Sequence, residues 1–167
     1  GNTLHADETP VSQLDPGRGK TKKAYLWAYR SNDLQTGPRI IVFDYRVGRS
    51  GIHCRRFLGA WKGHLMVDDY SGYKASFNTK QTVVLCIELG CWAHARRKFF
   101  DLHKANQSPM AKEALERIGQ LYAIEAEAID MDCAARKQHR KDKSIPVLTE
   151  LHQWLTTTRI KTANGGT

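Results

Sequence analysis

A chain of 167 residues with 41% hydrophobic and 26% charged side chains has the size and composition of one ordinary globular domain, which excludes wholesale disorder and a pair of independent catalytic domains. Its 26 Lys and Arg against 17 Asp and Glu give a net charge of +9, and the pI is near 9.5, so a polyanion, foremost nucleic acid, is the expected partner. The longest apolar run, Thr82 to Ile87, is too short to cross a bilayer, and no export signal opens the sequence; the expected location is the cytoplasm, with no membrane contact. Four scattered cysteines, Cys54, Cys86, Cys91 and Cys133, are accordingly expected as reduced thiols.

In chain order, Leu4 to Thr9 has the pattern of a strand ending in carboxylates before Pro10, and Asp15-Pro16-Gly17-Arg18-Gly19-Lys20 that of a turn. Ala24 to Arg30 is aromatic and strand-like; after a turn from Ser31 to Pro38, Arg39 to Tyr45 is β-branched and continuous, the pattern of a strand covered on both faces. Ser50 is placed to cap a helix whose apolar stripe is Cys54, Phe57, Leu58 and Trp61. Two strands follow, His64 to Val67 and Thr82 to Ile87, expected at the centre of the sheet.

Beyond Gly90 the period becomes helical. Trp92, Ala95, Phe99 and Leu102 share one face, while Arg96, Arg97, Lys98 and Lys104 occupy the others. Ser108-Pro109 signals the start of a long amphipathic helix through Ile129, which fades into the charged run Arg136 to Lys143, where a short linker or a frayed end is expected. Ser144-Ile145-Pro146 then restarts a helix carrying Leu148, Leu151, Trp154 and Leu155.

Asp7 ends the first strand and Asp68 the fourth, a placement that would set two carboxylates side by side. Hard oxygen ligands of this kind suit Mg²⁺, and two such ions could assist phosphoryl transfer. Acidic residues at strand ends also serve as turn formers and caps, and the residues alone leave both readings open. Cys86, Cys91, His94 and His103 invite a zinc reading, but no paired knuckles accompany them, and buried thiols account for the cysteines more simply. His5, two positions before Asp7, falls on the same side of a strand, where it either reaches the site or packs. Arg96, Arg97 and Lys98 are candidate contacts to a DNA backbone, as is the run Arg136 to Lys143, with a solvated helix face as the alternative.

Three segments together carry a resemblance: Leu4 to Pro10 with Asp15 to Lys20, then Val67-Asp68-Asp69-Tyr70-Ser71-Gly72-Tyr73, then Gly90-Cys91-Trp92-Ala93-His94-Ala95-Arg96-Arg97-Lys98-Phe99-Phe100. In this order they resemble the insertion-sequence-sixty-six family of bacterial transposases, over nearly the whole chain. The resemblance implies an α/β fold, a ribonuclease-H-like mixed five-stranded sheet with flanking helices followed by a partial helical insertion. It also implies a DDE-type catalytic core that cleaves DNA and transfers strands with Mg²⁺ or Mn²⁺, acting on transposon ends and target DNA as a homo-oligomer with accessory proteins. Asp7 and Asp68 match the first two catalytic aspartates. Asp69 stands where the family usually has glycine and adds a third candidate metal contact.

The family's third acid is a glutamate in a later Asn-Asn-x-x-Glu-Arg segment that does not occur in this sequence, so the chain is expected to be a truncated fragment. The two-metal site is expected only in the complete protein. Asp101 and Glu88 are weak substitutes for that acid. The expected divisions are a catalytic core over 1–104, the start of a helical insertion over 105–160 and a disordered tail over 161–167. Two rival readings are a catalytically inactive, basic DNA-binding remnant and a cellular ribonuclease-H-like nuclease.

Overall fold

The computed structural model describes residues 2–32, 37–77 and 86–163. The chain forms two compact units that divide between Cys91 and Trp92, where the sequence set a boundary after 104. The difference lies in the helix that opens the second unit, which packs on the helix after it.

The first unit is a mixed five-stranded sheet: β1 (Thr3–Asp15), β2 (Lys20–Ser31), β3 (Ile41–Arg46), β4 (Gly63–Val67) and β5 (Cys86–Gly90), in the order β3-β2-β1-β4-β5. β1 runs antiparallel to β2 and parallel to β4, and β4 is parallel to β5. The central strand is therefore β1, and β5 lies at an edge among the described residues, which corrects the expected central position of the last two strands. Of the predicted strand Thr82 to Ile87, residues 82–85 lie outside the described residues.

β1 also passes through Pro10, where the sequence reading ended it. Pairing with β4 is recorded only up to His5↔Met66, whereas pairing with β2 continues to Asp15↔Lys20. Past Asp7 the strand has one neighbour, and a residue without an N–H is tolerated on such an edge.

One face of the sheet is covered. Leu4, Ala6 and Glu8 of β1 alternate onto it with Trp27 and Tyr29 of β2 and Leu65 and Val67 of β4. α1 (Ile52–Leu58) adds Cys54 and Leu58 to that core, and Tyr73, from a 3₁₀ turn over Ser71–Ser76, is wholly buried there. The α1 cap is Gly51, not Ser50, whose hydroxyl only accepts a long 3.4 Å bond from the Ile52 N–H. A Cβ on Gly51 would collide with the carbonyl of Gly72, so the chain crosses itself at two glycines.

β3 is not covered on both faces. Among the described residues it is an edge strand, whose Ile41, Phe43 and Tyr45 are 54%, 62% and 46% exposed. Continuous β-branched residues identify a strand, but its place in the sheet depends on the other strands.

The second unit is helical: α2 (Trp92–Asn106), α3 (Pro109–Glu127), α4 (Cys133–His139) and α5 (Ile145–Ala163). Ser108 caps α3 as its sequence indicates, its hydroxyl accepting from the Ala111 N–H at 3.2 Å. Ile118 and Leu121 of α3 pack with Leu151 of α5, flanked by Phe99 and Trp154, while Trp92 is 42% exposed and Ile129 falls in a turn, 71% exposed. The charged run does not fray. A π turn over Arg140–Ser144 joins α4 to α5, and this wider turn immediately precedes Pro146, which cannot donate to the helical ladder. Arg140 bonds both carboxylate oxygens of Glu125 at 2.6 Å, and Lys143 meets Glu127. α5 runs to Ala163, so residues 161–163 of the expected tail are helical, and 164–167 lie outside the described residues.

Candidate functional site

The site is built on the step in the sheet where β4 ends and β1 continues. The recorded parallel register is Thr3↔His64, Leu4↔Leu65 and His5↔Met66; continued two residues past the last recorded pair, to one residue beyond the end of β4, it would bring Asp7 level with Asp68. In-register residues of adjacent strands are about 4.8 Å apart at the backbone. Alternation fixes the direction of Asp7 as well. Glu8 and Val67 turn into the core, so Asp7 projects from the opposite face, which also carries His5 and Met66; Asp68 is the first residue past the end of β4. Asp7 is exposed and Asp68 half-buried.

Asp68 is held by its own turn: its Oδ1 accepts from the Tyr70 N–H at 2.9 Å. Asp69 turns outward, 72% exposed, with an oxygen 3.7 Å from Lys74 Nζ. Lys74 also donates to Glu88 at 2.5 Å, and the two acids hold its ammonium above its ordinary pKa, Glu88 contributing most. Asp101 sits on α2 of the other unit, 66% exposed and 4.0 Å from Arg97. Arg96, Arg97 and Lys98 are exposed on the same helix. Arg136 is engaged within its own unit, donating to the carbonyls of Ala128, Ile129 and Met131 around the end of α3. Among the described residues no three His, Cys, Asp or Glu side chains gather as metal ligands. The four thiols are free.

Glu8, which the sequence reading passed over, is the most constrained acid of this unit. Its side chain is 1% exposed, yet it receives the Tyr73 hydroxyl at 2.5 Å on Oε2 and the Arg49 guanidinium at 2.8 and 2.5 Å on Oε1. A buried carboxylate persists only with such partners. Arg49 in turn lies over the Tyr70 ring, 3.8 Å from its centroid, and its backbone carbonyl accepts from the Tyr70 hydroxyl at 2.6 Å. Burial first, then the bond to Glu8, pushes the Tyr73 hydroxyl far above its ordinary pKa, and Glu8 raises that of Arg49.

A continuous chain of contacts thus runs from Glu8, the neighbour of Asp7, through Arg49 to Tyr70, whose N–H holds Asp68. The residues Asp-Glu and Asp-Asp-Tyr-Ser-Gly-Tyr are two ends of one structure. The sequence signal for it is that both stretches fall within the segments that carry the family resemblance.

The family pattern for the Transposase IS66 family matches residues 1–166. The chain belongs to that family. Two relatives from Sinorhizobium fredii bear only the name of uncharacterised proteins. The protein y4qI is 36% identical over 162 residues, covering 92% of this chain and 30% of its own length; y4jD is 34% identical over 153 residues, with 89% and 30% covered. The chain thus spans about a third of the length of the curated relatives it matches. A chain of the simian T-cell lymphotropic virus intasome, solved by cryo-electron microscopy in complex with a PP2A regulatory subunit, is similar at 9% identity and a TM-score of 0.36. The likeness covers 64% of this chain and 42% of that one. In the IS66 family member described here, the mixed five-stranded sheet with flanking helices is the fold that the sequence led us to expect.

Proposed function

We propose that this chain is part of the catalytic domain of a DDE-type transposase, which cuts DNA at transposon ends and joins it to target DNA, and that Asp7 and Asp68 are two of its catalytic carboxylates. The parallel register of β1 and β4, which continued two residues would bring Asp7 level with Asp68, supports this reading. Two carboxylates in that relation are a donor set suited to a hard divalent cation. Asp7 and Asp68 are the residues that would hold Mg²⁺ or Mn²⁺, which activates an attacking oxygen and offsets charge at the phosphate. The protein's own part is orientation: the Tyr70 N–H fixes one Asp68 oxygen, and the Glu8–Arg49–Tyr70 contacts fix the turn that presents it.

A second reading, that the chain alone binds DNA without cutting it, is favoured by the absence of a third gathered ligand among the described residues. One experiment separates the alternatives. Mn²⁺ affinity is measured by electron paramagnetic resonance, alongside nicking of supercoiled plasmid in Mn²⁺. Asp7→Asn and Asp68→Asn are each expected to weaken Mn²⁺ binding at least tenfold and to abolish any nicking. Nicking by the unaltered chain decides against the second reading. Unchanged Mn²⁺ affinity in both variants, or nicking that survives both, refutes the assignment of the site.

A further inference from the structure

The β1–β2 hairpin extends well past the sheet that anchors it. β4 pairing is recorded to His5, and β3 pairing stops at Tyr25↔Arg46, so among the described residues the strand pairing of Val11 to Ala24 is with one another, while the Tyr45 hydroxyl of β3 reaches the Gln13 side chain at 2.6 Å. A two-stranded ribbon is marginal by itself, and ordering each residue costs about 1–2 kcal/mol of backbone entropy. Little apolar burial offsets that here: residues 12–14 and 16–23 are all exposed, and Leu14 near the tip is 78% exposed.

What the ribbon does carry is positive charge: Arg18, Lys20, Lys22 and Lys23 against Asp15 alone. Asp15 is shared by Arg18 at 3.8 Å and Lys22 at 3.1 Å, and these two cations remain 68% and 56% exposed. The tip is shaped by the sequence, since Gly17 and Gly19 take φ of +86° and +62°, which other residues rarely adopt.

The ribbon's place relative to the aspartates is set by register. Residues directly paired across an antiparallel ladder project on the same side. Lys22 opposite Gln13 and Lys20 opposite Asp15 therefore share the face of Asp7, which lies an even number of positions earlier on β1. At about 3.4 Å per residue the distance from Asp7 to Asp15 is about 27 Å, somewhat less than the ~34 Å turn of B-form DNA.

We infer that this hairpin is a DNA-backbone contact, a cationic ribbon that lies along the phosphates of a duplex and leads it toward the Asp7–Asp68 step. The inference rests on the transposase reading and names a surface for it. The contacts read no sequence, because lysines and an arginine at the tip meet phosphates rather than base edges.

The test is fluorescence anisotropy of a fluorescein-labelled 30-base-pair duplex across a NaCl series. It compares the full chain with Arg18→Gln/Lys20→Gln/Lys22→Gln/Lys23→Gln and with an equal-charge control, Lys62→Gln/Lys112→Gln/Arg159→Gln/Lys161→Gln, four exposed cations outside the hairpin and outside the basic runs of the helical unit. The hairpin variant is expected to bind at least tenfold more weakly at 100 mM NaCl, and its slope of log K against log salt should fall by about 2–4, near 0.9 per lost phosphate contact. The control should change affinity less than threefold.

Equal losses in both variants, or none in the hairpin variant, overturn the inference and leave the transposase reading standing. A wild-type chain that binds no duplex at low salt overturns both. Tighter binding of an RNA duplex of the same sequence overturns the assignment to DNA. A fluorophore on Leu14→Cys, in a Cys91→Ser/Cys133→Ser background, gives a second readout with every cation intact: DNA should change its emission, and an unchanged signal overturns the inference.

Discussion

Replacing Tyr73 by Phe removes one hydroxyl and nothing else from the core. That hydroxyl donates to Glu8 at 2.5 Å, and the Glu8 side chain is 1% exposed, so water cannot readily take its place. A hydrogen bond to a charged group contributes about 1.5–3 kcal/mol, and Tyr73→Phe should cost that much at pH 7. With a urea dependence of about 2 kcal/mol per molar, the midpoint falls by about 1 M. The ring itself should stay in place, edge-on to Trp27 at a centroid distance of 5.7 Å and to Tyr70 at 5.8 Å.

The same hydroxyl predicts a pH signature. Tyr73 is raised above its ordinary value near 10, by burial first and then by Glu8. Above pH 10 the unfolded chain therefore binds fewer protons at this site than the folded one, and stability falls as pH rises. The contribution is complete below pH 10 and declines by about 1.4 kcal/mol per pH unit above it. Phenylalanine has no proton to lose, so the gap between wild type and variant should narrow from pH 10 to pH 11. Urea unfolding followed by near-ultraviolet circular dichroism at pH 7, 10 and 11 measures both effects. A loss below about 0.5 kcal/mol at pH 7, or a gap independent of pH, would refute the account of Glu8 as a buried, partner-dependent carboxylate.

Gly51→Ala drives a Cβ into the Gly72 carbonyl, so α1 and the 3₁₀ turn must part, costing about 1–3 kcal/mol in thermal melts; a neutral or stabilised variant would contradict the crossing. In the helical unit, Arg140 holds the Glu125 carboxyl below its ordinary range. Stability from this pair is present above the unfolded pKa of Glu125, near 4.5, and disappears as pH falls through the lower folded value. Both side chains are nearly half exposed, 44% and 45%, so Arg140→Ala should cost only about 0.5 kcal/mol at pH 7 and less at pH 3. Melting temperatures at the two pH values check this, and a larger loss at pH 3 than at pH 7 would reverse the sign of the argument.

Features that depend on a few neighbouring residues were legible along the chain. Ser108-Pro109 starts α3 because a hydroxyl and a ring act within one turn, and Gly17 and Gly19 make the hairpin tip because their φ values are local. The motifs also identified Asp7 and Asp68 as residues to watch, along with the family. The tertiary structure decided everything that depends on which strands meet. It alone placed β1 at the centre, left β3 exposed at an edge, let β1 run through Pro10, and turned Glu8 rather than Asp7 into the core. Strand neighbours are chosen by burial summed over the whole sheet, and alternation then assigns each side chain a face. Neither can be computed from the few residues on either side.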